Sequence, residues 1–223
     1  MRDAILIFVS LLSPAIAPQA PGNSAAGQSP RVVDHIVARI EDDIILQSQV
    51  RELGAFQKLV ERHSDSDDKL LDELVEQWIV ETEATGTHFP QPAQSEVDRE
   101  MARLTGQFAD PGKYHARLSE LGLTEADVRS TLTRQIYVER YLDYKFRPSV
   151  QVEAAGIDAY YNKELVPELA KQNQPPPARA SVEEEIREVL VQRGISDLTM
   201  KWLDDTKSRL KIEIEKPGAA ERR

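Results

Sequence analysis

The sequence has no cysteine, so disulfide bonds, thiolate nucleophiles and cysteine-based zinc sites are excluded. Aromatic residues make up only 6% of its 223 residues. Basic residues are also few, with 28 lysines and arginines against 38 acidic residues, which gives a formal net charge of -10. Sequence-independent binding to nucleic acid needs clustered lysine and arginine. We therefore expect no nucleic-acid partner.

Motifs of the common catalytic and metal sites are missing as well. The ten glycines are scattered and form no nucleophile elbow, phosphate-binding loop or dinucleotide-binding loop. The four histidines are isolated in the sequence, so none has a second ligand at the spacing of a helical metal site. The sequence thus predicts no catalytic residue, no metal site and no cofactor.

The first thirty residues have the pattern of an export signal. Two charged residues after Met1 precede the apolar run Ala4–Leu12, and small residues follow at Ala15 and Ala17. This predicts a signal peptide over residues 1–17, with cleavage after Ala15 or after Ala17. Nine helical residues span about 14 Å, less than the bilayer core of about 30 Å, so we expect no stable membrane span. Residues 18–30 are predicted to form a flexible leader.

Apolar periodicity predicts a mainly α-helical fold, a helical bundle with a small β-sheet. Residues 32–40 and 44–46 are rich in β-branched side chains and predict an N-terminal hairpin, and the alternation of Leu210–Glu215 predicts a C-terminal strand that pairs with it. Between them, helices are predicted to begin at Ser48, at Asp67 or Asp68, at Ser95, at Pro111, at Thr124 and at Ser181. Gly122 is predicted to end the helix that begins at Pro111, and Pro167 to interrupt or cap a further helix that holds Ile157. Gly194 is predicted to break or bend the last of the helical segments.

The predicted organisation has three parts after the leader. Residues 31–171 form a helical module, and residues 172–180, which include three consecutive prolines, form a stiff linker. Residues 181–215 form helices and a strand that pack back on the first module, and residues 216–223 form a tail.

The candidate binding residues lie on the third and fourth predicted helices. They are apolar residues at helical spacing: Met101, Leu104, Phe108, Tyr114 and Leu118. Methionine and aromatic side chains suit a surface that accepts many partners, so this set could line a groove for extended peptides. The alternative is that these side chains are ordinary core contacts.

Both ends of the mature chain resemble SurA-type periplasmic chaperones. The stretch Val32–Ser48, after a signal peptide, has the order strand, acidic turn, strand and Ser-capped helix, and the tail from Glu184 to Ile214 is similar to the C-terminal helix and strand of that family. In this family the C-terminal strand joins the N-terminal module, and parvulin-type prolyl isomerase domains lie between them. Here the corresponding window is Gly156–Ala180, about half of the roughly 50 residues that an independent domain needs.

What the resemblance implies is a chaperone module that lacks an isomerase domain. We expect a periplasmic holdase, not an enzyme, that binds unfolded polypeptides such as outer-membrane protein precursors without ATP. Two alternatives remain open at this point: a peptidylprolyl cis-trans isomerase of the same family, or a structural adaptor in an envelope assembly.

Overall fold

The structure is a computed structural model that describes residues 34–215. The predicted signal peptide (residues 1–17), the leader (residues 18–30) and the tail (residues 216–223) lie outside the described residues. The fold consists of helices with one small antiparallel sheet. The predicted fold class is therefore confirmed.

The sheet joins the two ends of the described chain. It contains β1 (Ile36–Ile40), β2 (Asp43–Leu46) and β3 (Ile212–Ile214) in the order β2-β1-β3. Both pairings are antiparallel, and Ala38 lies opposite Ile45 on one side and Ile214 on the other. The N-terminal hairpin and the C-terminal strand thus form one sheet, as the sequence predicts.

Glu41, in the hairpin turn, ties that turn to the chain just before β3. Its φ of 51° is left-handed, a conformation that side chains other than glycine, asparagine and aspartate rarely adopt. The Glu41 backbone N–H donates to the carbonyl of Lys211 at 3.0 Å, and its carboxylate accepts from the Lys211 N–H at 2.8 Å. These two bonds stabilise a turn whose backbone is unfavourable for glutamate.

The helices follow in chain order between β2 and β3. They are α1 (Gln47–Val60), α2 (Asp67–Gly86), α3 (Gln94–Thr105), α4 (Pro111–Leu121), α5 (Glu125–Phe146), α6 (Ala154–Tyr160), α7 (Val166–Lys171) and α8 (Glu183–Lys207). None of them, within residues 34–215, is both long enough and apolar enough to cross a lipid bilayer.

Several helix ends follow local rules. Thr124 caps α5 by accepting from the Asp127 N–H at 3.2 Å, while the Asp127 carboxylate accepts from the Thr124 N–H at 2.8 Å. Gly122 ends α4 with a left-handed φ of 70°, which glycine adopts without steric cost. These two ends agree with the sequence predictions.

The predicted cap of α1 is wrong, because Ser48 lies inside the first turn of the helix. The Leu46 N–H instead donates to the Gln49 side chain at 2.8 Å. The Ser48 N–H donates to Asp34 at 3.1 Å, and hydrogen bonds from Ser48 lower the pKa of the Asp34 carboxyl. Asp34, which lies 14 positions before Ser48, therefore supplies part of the cap. A capping rule that considers only neighbouring residues cannot predict such a contact.

The predicted break at Gly194 is also wrong, because α8 continues through that residue. A Cβ atom at position 194 would lie 2.6 Å from Cγ1 of Val150. Glycine at this position therefore serves close packing: it lets α8 approach the segment that follows α5.

Residues 154–171, hereafter the arm, form α6 and α7 with one π-helical segment, Tyr161–Leu165, between them. The Val166 N–H donates five residues back to Tyr161, and Pro167 follows without an N–H of its own. The helix thus accommodates the proline by widening, in accord with the predicted interruption at Pro167.

Two apolar clusters form the interior of what we call the body, the sheet with α1–α5 and the part of α8 that packs on them. The first cluster joins the sheet to α1, α2, α5 and α8 and includes Ile40, Leu70 and Val80, which are fully buried. The second lies between α1, α3, α4 and α5 and includes Phe56, Met101 and Val128.

Candidate functional site

The five predicted groove residues come together in the second apolar cluster, not on a surface. Met101, Leu104, Tyr114 and Leu118 are buried, and Phe108 is half-buried against them with its ring 5.3 Å from that of Tyr114. The apolar stripes of the short helices α3 and α4 pack on α1 and α5, and only Leu104 and Phe108 of the five also line small surface cavities. These side chains are therefore core contacts in this structure, which is the alternative given in the sequence analysis.

Tyr114 is the one polar group among these five residues. Its hydroxyl is buried and has no hydrogen-bond partner among the described residues, and burial raises the pKa of this phenol. A buried hydroxyl without a partner costs stability and offers nothing to a ligand outside.

A larger open groove lies between α3, α5 and α8. It has a volume of about 990 Å³. Its walls combine apolar side chains at the bottom with charged side chains at the rim. The apolar residues are Phe89, Ile136, Leu142, Tyr144, Ile195, Met200 and Leu203.

Two large apolar side chains in this groove face solvent. Tyr144 on α5 is 66% exposed, and Met200 on α8 is 54% exposed. Ile195 and Leu203, which are buried, form the floor next to them. Exposed aromatic and methionine side chains over a buried apolar floor are typical of a surface that binds other polypeptides.

Phe89 holds the aromatic end of the groove in place. His88 precedes it with a left-handed φ of 56°, which turns the chain after α2. The Phe89 ring lies 5.3 Å from the rings of Tyr141 and Tyr144. The Arg140 guanidinium lies 5.7 Å from the centre of the same ring. Tyr144 is thus exposed but supported from below, which limits the loss of side-chain entropy when a ligand contacts it.

Thr199, in the groove wall, has a side-chain hydroxyl without a hydrogen-bond partner. Its hydroxyl oxygen is buried and has no hydrogen-bond partner among residues 34–215. A helical threonine commonly bonds to a carbonyl one turn back, so this hydroxyl can reach a partner by a rotation about χ1.

Ion pairs of two kinds surround the groove. Arg140 pairs with Glu96 at 3.2 Å, one charge against one. Arg147 instead binds two carboxylates, Asp143 at 2.8 Å and Glu188 at 2.7 Å, and hydrogen bonds from Arg147 lower the pKa of Glu188 to about 2. The groove therefore has an excess of negative charge at the Arg147 side.

Lys207 binds two further carboxylates, at the other side. Its ammonium group lies 2.6 Å from Asp72 and 2.7 Å from Glu76, which lines the groove. Partial burial opposes the charge of Lys207, but its hydrogen bonds to both carboxylates outweigh burial and raise its pKa. This site thus also has two negative charges to one positive charge.

The described residues contain no group of three histidine or acidic side chains placed to hold a metal ion. The residues that line the groove offer apolar contact and charge.

The groove between α3, α5 and α8 contains none of the five residues that the sequence analysis names as peptide-binding. Periodicity could not have identified Tyr144 or Met200: Tyr144 follows the buried Tyr137 and Tyr141 at i, i+4, i+7 spacing, and Met200 precedes the buried Leu203 by three positions, so both lie next to buried faces in the sequence pattern. No family model matches this chain, and no curated protein sequence matches it. The resemblance to SurA-type chaperones therefore depends on the two ends of the chain alone.

Proposed function

We propose that the chain is a periplasmic holdase that binds unfolded polypeptides, such as outer-membrane protein precursors, in the groove between α3, α5 and α8, without ATP. The observation that carries the proposal is the exposure of Tyr144 and Met200 above a buried apolar floor. The predicted signal peptide supports export, and the two-ended resemblance supports this class of chaperone.

The groove has the properties that holding an unfolded chain requires. Its apolar walls offer burial at about 25 cal/mol per Å², which is independent of the client's exact sequence. Methionine adapts its shape to different side chains. The net charge of -10 keeps a complex with an apolar client soluble.

The test is light scattering of an unfolded outer-membrane protein diluted into buffer with and without the purified mature chain. We expect the chain to suppress aggregation at roughly equal molar amounts. The double variant Tyr144→Gln/Met200→Gln removes the exposed apolar contacts from the groove and should lose most of this suppression. Both positions lie on helices, where glutamine is well tolerated.

The matched control is Ile44→Thr, which removes an exposed apolar side chain from β2, outside the groove. Threonine keeps the β-branched shape that a strand favours. This variant should suppress aggregation as well as the parent chain does. Equal loss in the control and in the groove variant would contradict the assignment of the groove.

Two further outcomes would favour the alternatives. Isomerisation of a proline peptide above the uncatalysed rate would point to a peptidylprolyl isomerase. Capture of one stoichiometric envelope protein, with no effect on the aggregation of unrelated unfolded chains, would point to a structural adaptor.

A further inference from the structure

Most charged residues at the rim of the groove are balanced by an opposite charge. Arg140 is balanced by Glu96. Glu100 is balanced by Arg103, and the rim residues Glu139 and Arg99 are of opposite sign. These charges therefore cancel in sum.

Two cations near the ends of α8 are each shared by two carboxylates. At the N-terminal half of α8, Arg147 and Asp143 line the groove and Glu188 lies beside it. At the C-terminal end, Glu76 lines the groove, and its partner Lys207 and the second carboxylate, Asp72, lie beside it. In each set one negative charge is left without a cation. Along α8 the apolar lining residues Ile195, Met200 and Leu203 lie between the two sets, so this side of the groove is apolar in the middle and negative at both ends.

The separation of the ends sets a length for the ligand. Glu188 and Lys207 lie on the same helix, 19 positions apart, which at 1.5 Å per residue is about 28 Å. An extended peptide covers this length with eight to nine residues at about 3.3 Å each. The α8 residues that line the groove, Gln192 to Leu203, cover about 16 Å, or about five extended residues.

We propose that the groove selects extended client segments in which about five apolar residues lie between two basic residues some eight positions apart. The proposal depends on the proposed holdase function and gives it a substrate class. The apolar centre contacts Tyr144, Met200 and the floor, and each lysine or arginine meets the unbalanced carboxylate at one end of the groove.

The charges at the ends are half-exposed, so they act more on selection and on association rate than on total affinity. The carboxylates at both ends repel peptides with acidic flanking residues. This repulsion, added to the attraction of basic flanking residues, separates the two kinds of peptide more than attraction alone would. An apolar segment with neutral flanks should bind with intermediate affinity.

The experiment uses three labelled nine-residue peptides with the same five-residue apolar centre. Their terminal residues are both lysine, both serine or both glutamate, and binding to the mature chain is measured by fluorescence anisotropy. At low salt we expect the lysine peptide to bind at least about fivefold more tightly than the glutamate peptide, with serine between them. At 1 M salt, where the Debye length is about 3 Å, the three affinities should converge.

The variant Glu76→Gln/Glu188→Gln removes one carboxylate from each end and should abolish most of the preference for lysine. Its matched control, Glu120→Gln/Glu168→Gln, makes the same change in net charge on α4 and α7, away from the groove. The control should keep the full preference. Equal loss in both variants would mean that overall charge, not the groove, causes the selection, and would overturn the proposal.

The failure of this proposal is distinguishable from the failure of the holdase function. If the three peptides bind equally at low salt and the Tyr144→Gln/Met200→Gln variant weakens all of them, the holdase groove stands and charge selection is overturned. If no peptide binds and the chain does not suppress aggregation, both are overturned. Self-association that excludes all three peptides from the groove would also overturn the proposal, since the occupant would then be a second copy.

Discussion

The body and the arm are stabilised in different ways. The body has two apolar clusters with fully buried side chains such as Ile40, Leu70 and Val128, and neither cluster includes a residue of the arm. The arm has a single buried side chain, Ile157, and is held to α8 by the ion pair of Glu164 with Arg193, whose two bonds measure 2.7 and 2.8 Å.

Other polar contacts hold the arm to the segment before α8. Asp158 pairs with Arg179, and the Tyr161 hydroxyl donates to the Pro177 carbonyl at 2.7 Å. The Arg193 guanidinium also lies 4.9 Å from the centre of the Tyr160 ring. Salt does not weaken apolar burial by screening, and pH affects it little, whereas exposed ion pairs weaken with salt and depend on pH. The arm should therefore open under conditions that leave the body folded.

The largest expected effect is loss of apolar packing in the body. Leu70→Ala, at a position that is 2% exposed, should lower the free energy of unfolding by about 2–5 kcal/mol, because it leaves a cavity. Leu165→Ala in the half-buried face of the arm should cost about 1 kcal/mol or less. Urea denaturation followed by far-UV circular dichroism measures both. Similar costs for the two variants would contradict the distinction between body and arm.

The next effect tests the contact of α8 with the chain that leads from α5 to the arm. Gly194→Ala places a methyl group 2.6 Å from Val150 and should cost about 1–3 kcal/mol through overpacking, which outweighs the helix propensity gained.

The second substitution Val150→Ala provides the space and serves as the control. In the double variant Val150→Ala/Gly194→Ala the overpacking should disappear, so the two substitutions should be strongly non-additive in a double-mutant cycle. Additive costs would show that steric contact with Val150 is not the reason for glycine at this position.

A smaller effect is expected from salt at the arm. Raising ionic strength from about 0.1 to about 1 M shortens the Debye length from about 10 to about 3 Å and weakens the pair of Glu164 with Arg193. Amide hydrogen exchange in residues 154–171 should speed up by about two- to fivefold, while exchange in α2 should not.

Glu164→Gln should give the same increase in exchange at low salt. Glu168→Gln is the matched control, because Glu168 pairs with Lys171 on the same helix and so does not hold the arm to α8. Faster exchange in the control as well would mean that the ion pair with α8 does not secure the arm.

The smallest effect is a pH dependence of opposite sign at two buried glutamates of the body and at the ion pair of the arm. Burial raises the pKa of Glu73 and of Glu81 in the body, so the native state binds protons more tightly there, and this part of the stability falls as the pH rises above about 4.5. A hydrogen bond from Arg193 lowers the pKa of Glu164, so the arm's contribution is present above about pH 4.5 and is lost as the pH falls below it.

Glu73→Gln isolates the effect of the body, since Glu73 accepts hydrogen bonds from Gln57 and Gln77 and has no cation partner among the described residues. It should raise the free energy of unfolding at pH 7 and leave it nearly unchanged at pH 4. Denaturant unfolding at the two pH values measures this. An equal change at both would show that ionisation of Glu73 does not oppose folding.

Local signals in the sequence predicted those features that depend on local contacts. The cap at Thr124 with Asp127 and the end of α4 at Gly122 need only residues within one turn. Ser48 and Gly194 were interpreted wrongly because their environments are made by distant residues, Asp34 in one case and Val150 in the other. The burial of Met101 and Tyr114 could not be predicted for the same reason: periodicity shows that a helix has an apolar face but not which element covers it.

The sequence by itself determined the class of fold, the hairpin, the C-terminal strand and most helix positions, because these depend on side-chain period, capping and turn residues over a few positions. Only the tertiary structure decided which apolar faces are buried and which form the groove. Packing α3 and α4 on α1 and α5 buries Met101 and Tyr114, and the crossing of α5 by α8 leaves Tyr144 and Met200 exposed. Whether a face is buried depends on the contacts among all the elements, so it cannot be read from the sequence of one segment.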